Sequence, residues 1–298
     1  MIPKHIVQTW KRRDLPPKMQ DNVNGIRRMN PEYEYTFYDD NACRAYLLEH
    51  FGTPYVDAFN QLRFGAFKAD LWRYARLYQE GGVYVDIDFR SMRSLDDIIH
   101  PEDTFVCVND RMPSHIFQAF IAVVPKHPVL KTALDIVMHN IATHYMGVNF
   151  FDRTGPMVFN RAICRYLGLD DLAGLHAGLN GADIRLLQHK SPRNVFDEKN
   201  HLCFLTTYDG YEQDKDRECY HGPDWLKDNA KVVVPVPTPS PSATPLSDGA
   251  IAIIVVFPAL YVLIVVCLLV NTLRLMSARK NNRSPSLLSA THTHTWPS

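Results

Sequence analysis

Two aspartates, Asp86 and Asp88, stand one residue apart at the end of a short apolar run. The sequence Val-Tyr-Val-Asp-Ile-Asp at 83–88 predicts a strand, on which both carboxylates would project from one face about 7 Å apart. Such charges repel each other and are costly to bury without a counter-charge, so a divalent cation is a natural partner. Oxygen ligands suit Mg²⁺ or Mn²⁺, and these ions suit a diphosphate. A solvated pair of carboxylates is an equally simple alternative.

A second charged pair, Asp70 and Arg73, lies just before the aspartates in the chain. Apolar and aromatic residues recur at helical spacing around it, namely Phe67, Leu71, Tyr74 and Tyr78. This spacing predicts a helix over 64–82 that is ended by Gly81 and Gly82. Residues three apart share a helix face, so Asp70 and Arg73 can pair or reach one ligand together. The helix leads directly into the acidic strand.

The rest of the N-terminal region alternates between strand and helix patterns. Strands are predicted at 2–10, 33–38, 83–88, 104–108, 116–124 and 184–187, with a helical stretch at 128–144. This alternation predicts an α/β sandwich around a mostly parallel sheet. Ligands of open α/β sheets bind at the carboxyl ends of the strands, where Asp86 and Asp88 are expected.

A long joint pattern, A-D-L-W-R-Y-x-x-L-Y-x-x-G-G-V-Y-V-D-I-D at 69–88, resembles the DxD-containing sugar-binding region of glycosyltransferase family 32. That family includes fungal initiating α-1,6-mannosyltransferases and inositol-phosphoceramide mannosyltransferases. I-P-K-H-I-V-Q-T-W at 2–10, N-P-E-Y-E-Y-x-F-Y-D-D at 30–40 and Thr-Gly-Pro at 154–156 resemble further family blocks. The resemblance covers most of residues 1–225 and implies a GT-A type nucleotide-sugar-binding sandwich.

The resemblance also implies roles for individual residues. Asp88 would bind the metal directly, and Asp86 would contact the nucleotide ribose or reach the metal through water. Asp70 and Arg73 match positions that hold donor-sugar hydroxyls in related toxins, and Tyr84 lies in the same nucleotide-sugar-binding motif. The implied cofactor is Mn²⁺ or Mg²⁺.

Four further residues are implied outside the central motif. Trp10 would stack on the nucleotide base, with packing of the core as the alternative. Asn109 would bind donor or acceptor, with a turn residue as the alternative. His221 as a metal ligand and Trp225 as a lid over the diphosphate depend on a C-terminal His–Ser-Trp pattern, in which Asp224 replaces the serine here.

The implied reaction is transfer of a hexose from a nucleotide sugar with retention of anomeric configuration. GDP-mannose is the first choice of donor on family grounds and a UDP-hexose the second. The acceptor is a glycan or a sphingolipid. No side chain occupies a convincing position for a nucleophile, so the acceptor hydroxyl is expected to attack on the leaving-group side.

Four segments are predicted along the 298 residues. Residues 1–230 form the catalytic domain, and 231–249 form a stalk rich in Pro, Ser and Thr. Residues 250–270 are uncharged and apolar, long enough for a transmembrane helix in contact with membrane lipid. Residues 271–298 form a basic tail, which predicts a cytosolic end and a lumenal domain in the Golgi or another endomembrane. The N-terminus lacks the pattern of a signal peptide, so the alternatives are an incomplete start or insertion directed by the last helix, with the domain in the cytosol.

Composition narrows the class of protein. The 32 basic and 32 acidic side chains cancel, which excludes a general nucleic-acid binder. The six cysteines contain no CxxC pair and indicate no zinc ribbon. A phosphatase with a D-x-D nucleophile is disfavoured because Arg90 follows the motif where Thr or Val is expected. The remaining alternative is a catalytically inactive membrane protein that retains the sugar pocket.

Overall fold

The strands join into one mixed sheet with helices on its faces. The computed structural model describes residues 1–112, 114–170, 177–181, 183–191, 193–206 and 224–227. Six α-helices occur in these residues: α1 (Pro17–Met29), α2 (Asp40–Phe51), α3 (Thr53–Gln61), α4 (Gly65–Glu80), α5 (Pro128–Ala142) and α6 (Pro156–Leu167). The strands are β1 (His5–Thr9), β2 (Glu34–Tyr38), β3 (Gly82–Val85), β4 (Arg90–Ser91), β5 (Phe105–Asn109), β6 (Ile116–Val123), β7 (Gly178–Asn180), β8 (Ile184–Ser191), β9 (Asn194–Phe196) and β10 (Leu202–Leu205).

The order of strands across the sheet is β2-β1-β3-β6-β5-β8-β9-β10-β4, and β7 pairs with β8. The prediction of an α/β fold is confirmed, but the prediction of a mostly parallel sheet is wrong. Parallel pairing is limited to β1 with β2, β1 with β3 and β5 with β8. The other pairings are antiparallel. Between β5 and β6, the short connection at 110–115 reverses the chain without a crossover helix.

Each face of the sheet buries its own apolar cluster. On β3, Tyr84 joins the cluster that includes Leu71 and Trp72 of α4, whereas Val83 and Val85 join the cluster on the other face. This follows from the alternation of side chains along a strand. The chain therefore places Tyr84 on the same side of the sheet as α4, which carries Asp70 and Arg73.

The predicted end of α4 at Gly81 and Gly82 is confirmed, and the structure explains the two glycines. Both have positive φ angles, 65° and 99°. A Cβ atom on Gly81 would lie 2.6 Å from the carbonyl oxygen of Val123, and one on Gly82 would lie 2.7 Å from that of His5. Only residues without a side chain allow the helix to turn this tightly between β6 and β1. The turn fixes the distance between α4 and β3.

The predicted C-terminal segments fall outside the described residues. These are the stalk at 231–249, the transmembrane helix at 250–270 and the tail at 271–298. Within the part of the chain that the structure describes, every helix is too short or too polar to cross a bilayer. All described residues belong to one compact unit, and the boundaries of the four segments remain predictions.

Candidate active site

The Asp-Ile-Asp motif forms a turn immediately after β3. The strand ends at Val85, and the backbone N–H of Asp86 donates to the carbonyl of Ala119 on β6 at 2.8 Å. The N–H of Phe89 then donates back to the carbonyl of Asp86 at 3.0 Å, which closes the turn. The prediction that the strand continues through Asp88 is therefore wrong. Strand alternation does not place the two carboxylates, and the turn presents them instead.

Two buried amides hold this turn in place. Gln8 on β1 donates from Nε2 to the carbonyl of Val85 at 3.1 Å. Asn22 on α1 donates from Nδ2 to the carbonyl of Asp88, also at 3.1 Å. Both side chains are largely excluded from solvent. Since one satisfies the last carbonyl of β3 and the other a carbonyl of the turn itself, tertiary contacts fix the turn.

The predicted pair on α4 reaches the turn directly. Arg73 contacts Asp70 through Nη2 and Oδ1 at 3.3 Å, and it contacts Asp86 through Nη1 and Oδ1 at 3.1 Å. Its Nη1 also donates to the carbonyl of Gln118 at 2.9 Å. Asp70 and Arg73 are buried, whereas the Asp86 side chain remains 31% exposed. One guanidinium thus joins a buried carboxylate to one that faces solvent.

Tyr84 completes this group from the sheet. Its hydroxyl donates to Oδ1 of Asp86 at 2.6 Å. The Arg73 guanidinium lies over the Tyr84 ring, 4.3 Å from its centroid, an arrangement that attracts the cation to the face of the ring. Both contacts of Asp86 therefore fall on Oδ1, and they orient the carboxylate at the start of the turn.

Two residues outside the predicted site donate hydrogen bonds to Asp70, and a third orients one of them. Thr154 donates from Oγ1 to Oδ2 at 2.7 Å, and Gln118 donates from Nε2 to Oδ1. Tyr74 donates in turn to Oε1 of Gln118 at 2.6 Å, which orients the amide. Gln118 is the one polar residue in the run Ile-Phe-Gln-Ala-Phe-Ile-Ala-Val of β6, and that exception was the available signal. Tyr74 lies one helical turn after Asp70.

Burial sets the ionisation of this group. It raises the pKa of Asp70 to about 6, against the opposing effects of Arg73 and of the hydrogen bond from Thr154. Burial alone would lower the pKa of Arg73, but Tyr84, Asp86 and Asp70 together raise it above its usual value. Burial also raises the pKa of Tyr74 and Tyr84. At neutral pH the group therefore holds ionised Asp70, charged Arg73 and neutral phenols.

Asp70, Arg73, Asp86 and Gln118 line a cavity of about 250 Å³. The rest of the lining is apolar and includes four phenylalanines. The full lining comprises Ala66, Phe67, Asp70, Arg73, Asp86, Phe117, Gln118, Ala119, Phe150, Phe151, Gly155 and Pro156. A Cβ atom on Gly155 would lie 3.3 Å from the Phe151 carbonyl and 3.5 Å from Oδ2 of Asp70. The glycine of the Thr-Gly-Pro segment therefore keeps space open beside the carboxylate. An apolar cavity with few polar groups is typical of a small-molecule site.

Trp10 lies at the opposite side of the turn. It packs against the buried cluster of Met19, Val23 and Ile87, and Ile87 separates the two aspartates. The indole Nε1 is buried and has no hydrogen-bond partner among the described residues. The structure thus brings Trp10 to the motif, while its stacking on a nucleotide base stays a prediction.

The other predicted site residues are placed differently. Asn109 is half-buried at the carboxyl end of β5, where it pairs with Ile116 and Gln188. Trp225 is buried and packs edge-on against Phe67, with ring centroids 5.8 Å apart. The indole therefore supports the cavity wall from the core, and its function as a lid stays a prediction.

The chain segment that carries Trp225 is held by backbone contacts. The backbone carbonyl of Trp225 accepts a hydrogen bond from the N–H of Arg63 at 3.1 Å. The N–H of Lys227 donates to the carbonyl of Gln61 at 2.8 Å. His221 lies outside the described residues, so its assignment as a metal ligand also stays a prediction.

The two carboxylates of the turn supply part of the ligand set that a hard cation needs. Across the described residues, no group of three or more His, Cys, Asp or Glu side chains is positioned to hold a metal. Asp86 and Asp88 supply two carboxylates, and Mg²⁺ is commonly bound by one or two carboxylates together with substrate phosphates. The described residues therefore fit a cation that needs the ligand to complete its coordination.

Comparison with known proteins agrees with this site. The family model described as the glycosyltransferase sugar-binding region containing DXD motif matches residues 16–120. This range includes α4, the Asp86–Asp88 turn and Gln118. Residues 16–120 therefore match the sugar-binding region of the DXD-containing glycosyltransferases, and the predicted resemblance is confirmed.

Most of the curated relatives are named as mannosyltransferases or as mannosyl phosphorylinositol ceramide synthases. Inositol phosphoceramide mannosyltransferase 1 of Schizosaccharomyces pombe is 28% identical over 172 residues, which cover 56% of this chain and 52% of the relative. Mannosyl phosphorylinositol ceramide synthase SUR1 of Saccharomyces cerevisiae is 28% identical over 159 residues, covering 53% of this chain and 40% of the relative. The initiation-specific alpha-1,6-mannosyltransferase of Candida albicans is 31% identical over 105 residues, covering 33% and 27%.

The match to these relatives is partial. The chain spans about half the length of the inositol phosphoceramide mannosyltransferases it matches. Among solved structures, the PaToxG glycosyltransferase superposes with a TM-score of 0.47 and 20% identity, covering 56% of this chain and 70% of that chain.

Proposed function

We propose that this protein transfers a hexose from a nucleotide sugar to an acceptor hydroxyl, with retention of anomeric configuration. The observation that carries the proposal is the salt-bridge network of Asp70, Arg73 and Asp86, which lines one cavity beside the turn of the DXD motif. Charged groups that are fixed in a partly apolar cavity can bind a sugar without reorganising during the reaction.

The chain's own residues would hold the sugar. Asp70 accepts hydrogen bonds from Thr154 and Gln118, and an ionised carboxylate has capacity for a further hydroxyl donor. The hydrocarbon faces of a hexose suit Phe67, Phe117 and Phe151 in the cavity wall. A sugar fixed in this way presents its anomeric carbon towards the turn, where the diphosphate would lie.

Asp86 and Asp88 would hold Mn²⁺ or Mg²⁺, and such an ion neutralises charge on a departing diphosphate. The bond between the anomeric carbon and the diphosphate oxygen breaks as the acceptor oxygen bonds to that carbon on the same face. The acceptor proton passes to a diphosphate oxygen, so no protein nucleophile is required. Arg73 and Tyr84 keep Asp86 oriented throughout because both contact Oδ1.

GDP-mannose is the first donor to test and a UDP-hexose the second, with a sphingolipid or glycan as acceptor. The names of the relatives support mannose and a sphingolipid. We further propose a single-pass protein of the Golgi or another endomembrane, with its catalytic domain in the lumen and residues 250–270 as the anchor. Protease protection of residues 1–230 in sealed microsomes tests that topology: cleavage without detergent contradicts it.

The activity is tested with the full chain, Mn²⁺ and a panel of nucleotide sugars, by scoring the release of nucleoside diphosphate with and without acceptor. We expect Asp88→Ala to abolish release, because the turn loses one of its two carboxylates. Asp57→Ala is the matched control, since Asp57 is exposed on α3 away from the site. Circular dichroism should show both variants folded.

Two outcomes would contradict the proposal. More than a few per cent of activity in Asp88→Ala would remove the metal function of the motif. Binding of nucleotide sugar by the unmodified protein, without turnover for any donor, would instead favour the inactive sugar-binding protein.

A further inference from the structure

A second cavity, of about 520 Å³, lies between α1 and the edge strand β4. Its α1 lining recurs at helical spacing along one face of the helix, at Lys18, Asp21, Asn22, Gly25 and Arg28. Arg90 of β4 lines the opposite side. The cavity is of the size that small-molecule ligands occupy, roughly 300–1,000 Å³.

The charged groups around this cleft are predominantly basic. Lys18, Arg28 and Arg90 line it, against the single carboxylate of Asp21. Arg28 and Arg90 are exposed and form no ion pair with any described residue. Like charges that converge on one cavity repel each other, and an anion bound between them would relieve that repulsion.

The cleft adjoins the DXD turn but is separate from the sugar cavity. Asn22, which donates to the carbonyl of Asp88 at 3.1 Å, also lines the cleft. Arg90 follows Asp88 by two residues. The two cavities share no lining residue. The turn therefore separates a cavity with two acidic side chains, Asp70 and Asp86, from a basic one.

We propose that this cleft binds the phosphate of a phosphate ester, and that the ester belongs to the acceptor. The inference rests on the proposed glycosyl transfer. The donor diphosphate is expected at the carboxylate side of the turn, where a cation would bind it. The arginines behind the turn match the charge of a further phosphate, and a planar guanidinium can bind phosphate oxygens in pairs. When the acceptor's phosphate lies in this cleft, the DXD turn lies between that phosphate and the sugar cavity.

Binding, rather than activity, is the test. The full-length protein is titrated by calorimetry with myo-inositol 1-phosphate, myo-inositol and GDP-mannose, at low salt and in the presence of Mn²⁺. We expect inositol phosphate to bind, inositol to bind at least tenfold more weakly, and added salt to weaken the phosphate complex. The variant Arg28→Gln/Arg90→Gln should lose about tenfold in affinity for inositol phosphate and keep its affinity for GDP-mannose, because each exposed cation contributes modestly.

The variant Arg165→Gln/Lys199→Gln removes the same charge from exposed positions outside the cleft and should bind all three compounds as the unmodified protein does. An equal loss of GDP-mannose affinity in Arg28→Gln/Arg90→Gln would assign the site to the donor and overturn its assignment to the acceptor. Unchanged inositol phosphate affinity in that variant would overturn the inference. Release of GDP is measured on the same samples, so that a failure of the phosphate-site proposal can be distinguished from a failure of the proposed transferase activity.

Discussion

Replacing Thr154 with valine removes the hydroxyl that donates to Asp70 at 2.7 Å, while the side chain keeps nearly the same shape. A hydrogen bond to a charged group contributes about 1.5–3 kcal/mol. Because one pKa unit corresponds to about 1.36 kcal/mol, the pKa of Asp70 should rise by roughly one to two pH units in Thr154→Val. In the unmodified protein that pKa is already raised from 3.8 to about 6 by burial.

The sign of the effect on stability follows from this direction. The folded state holds the Asp70 proton more tightly than the unfolded chain, so stability falls as pH rises from about 4 to about 6. The ionised carboxyl costs the folded state about 3 kcal/mol above that window. In Thr154→Val the window extends to higher pH. The free energy of unfolding should therefore differ between variant and parent by about 1–2 kcal/mol more at pH 7.5 than at pH 4.5.

Two measurements test this reasoning. Urea unfolding at both pH values gives the stability difference, and kcat/KM for GDP-mannose between pH 5 and 9 gives the acid limb of activity. That limb should lie near pH 6 in the parent and shift to higher pH in Thr154→Val, with activity recovered at alkaline pH. Thr104→Val is the control, since Thr104 donates to the backbone carbonyl of Asp183 at the other end of β5. A stability difference that is the same at both pH values, or an unmoved acid limb, would refute the assignment of Asp70.

Two further substitutions probe the walls of the sugar cavity. Trp225→Ala should destabilise the fold by about 3–5 kcal/mol, because the indole is buried against Phe67. Urea unfolding measures this change. A loss below about 1 kcal/mol would show that residues 224–227 are not needed for the core. Gly155→Ala places a methyl group 3.3 Å from the Phe151 carbonyl and 3.5 Å from Asp70. We expect kcat/KM to fall about tenfold or more because the methyl group displaces the sugar. The free energy of unfolding should fall by about 1 kcal/mol. Unchanged kinetics would contradict the placement of the sugar in this cavity.

The sequence predicted the local elements around the site more successfully than their arrangement. The helix that carries Asp70 and Arg73 could be predicted because its apolar spacing and its paired glycines are local signals. The direction of the strands could not be read from hydrophobic runs, since parallel and antiparallel strands share the same pattern. The short connection before Ile116 was the clue that β6 returns antiparallel to β5.

The detailed geometry of the site depends on contacts between distant parts of the chain. The run Val-Tyr-Val-Asp-Ile-Asp alternates like a strand, yet Gln8 and Asn22 bind the carbonyls of Val85 and Asp88 and stabilise a turn instead. Gln118 contacts Asp70 across 48 positions of sequence. Such pairs lie beyond any local pattern, although a lone amide in an apolar strand is a reason to expect a buried polar partner.

The return of residues 224–227 to the loop after α3 bears on how the protein can be trimmed. The isolated bridge between Leu62 and Leu226 joins positions that are far apart in the chain, and Trp225 inserts beside it. A fragment that stops after β10 would keep the whole sheet but would lack Trp225, which packs against Phe67 behind the sugar cavity. Fragments made for crystallisation should therefore extend past Lys227. A shorter proteolytic product should be poorly soluble, because the apolar side chains that pack against Trp225 would be exposed to solvent.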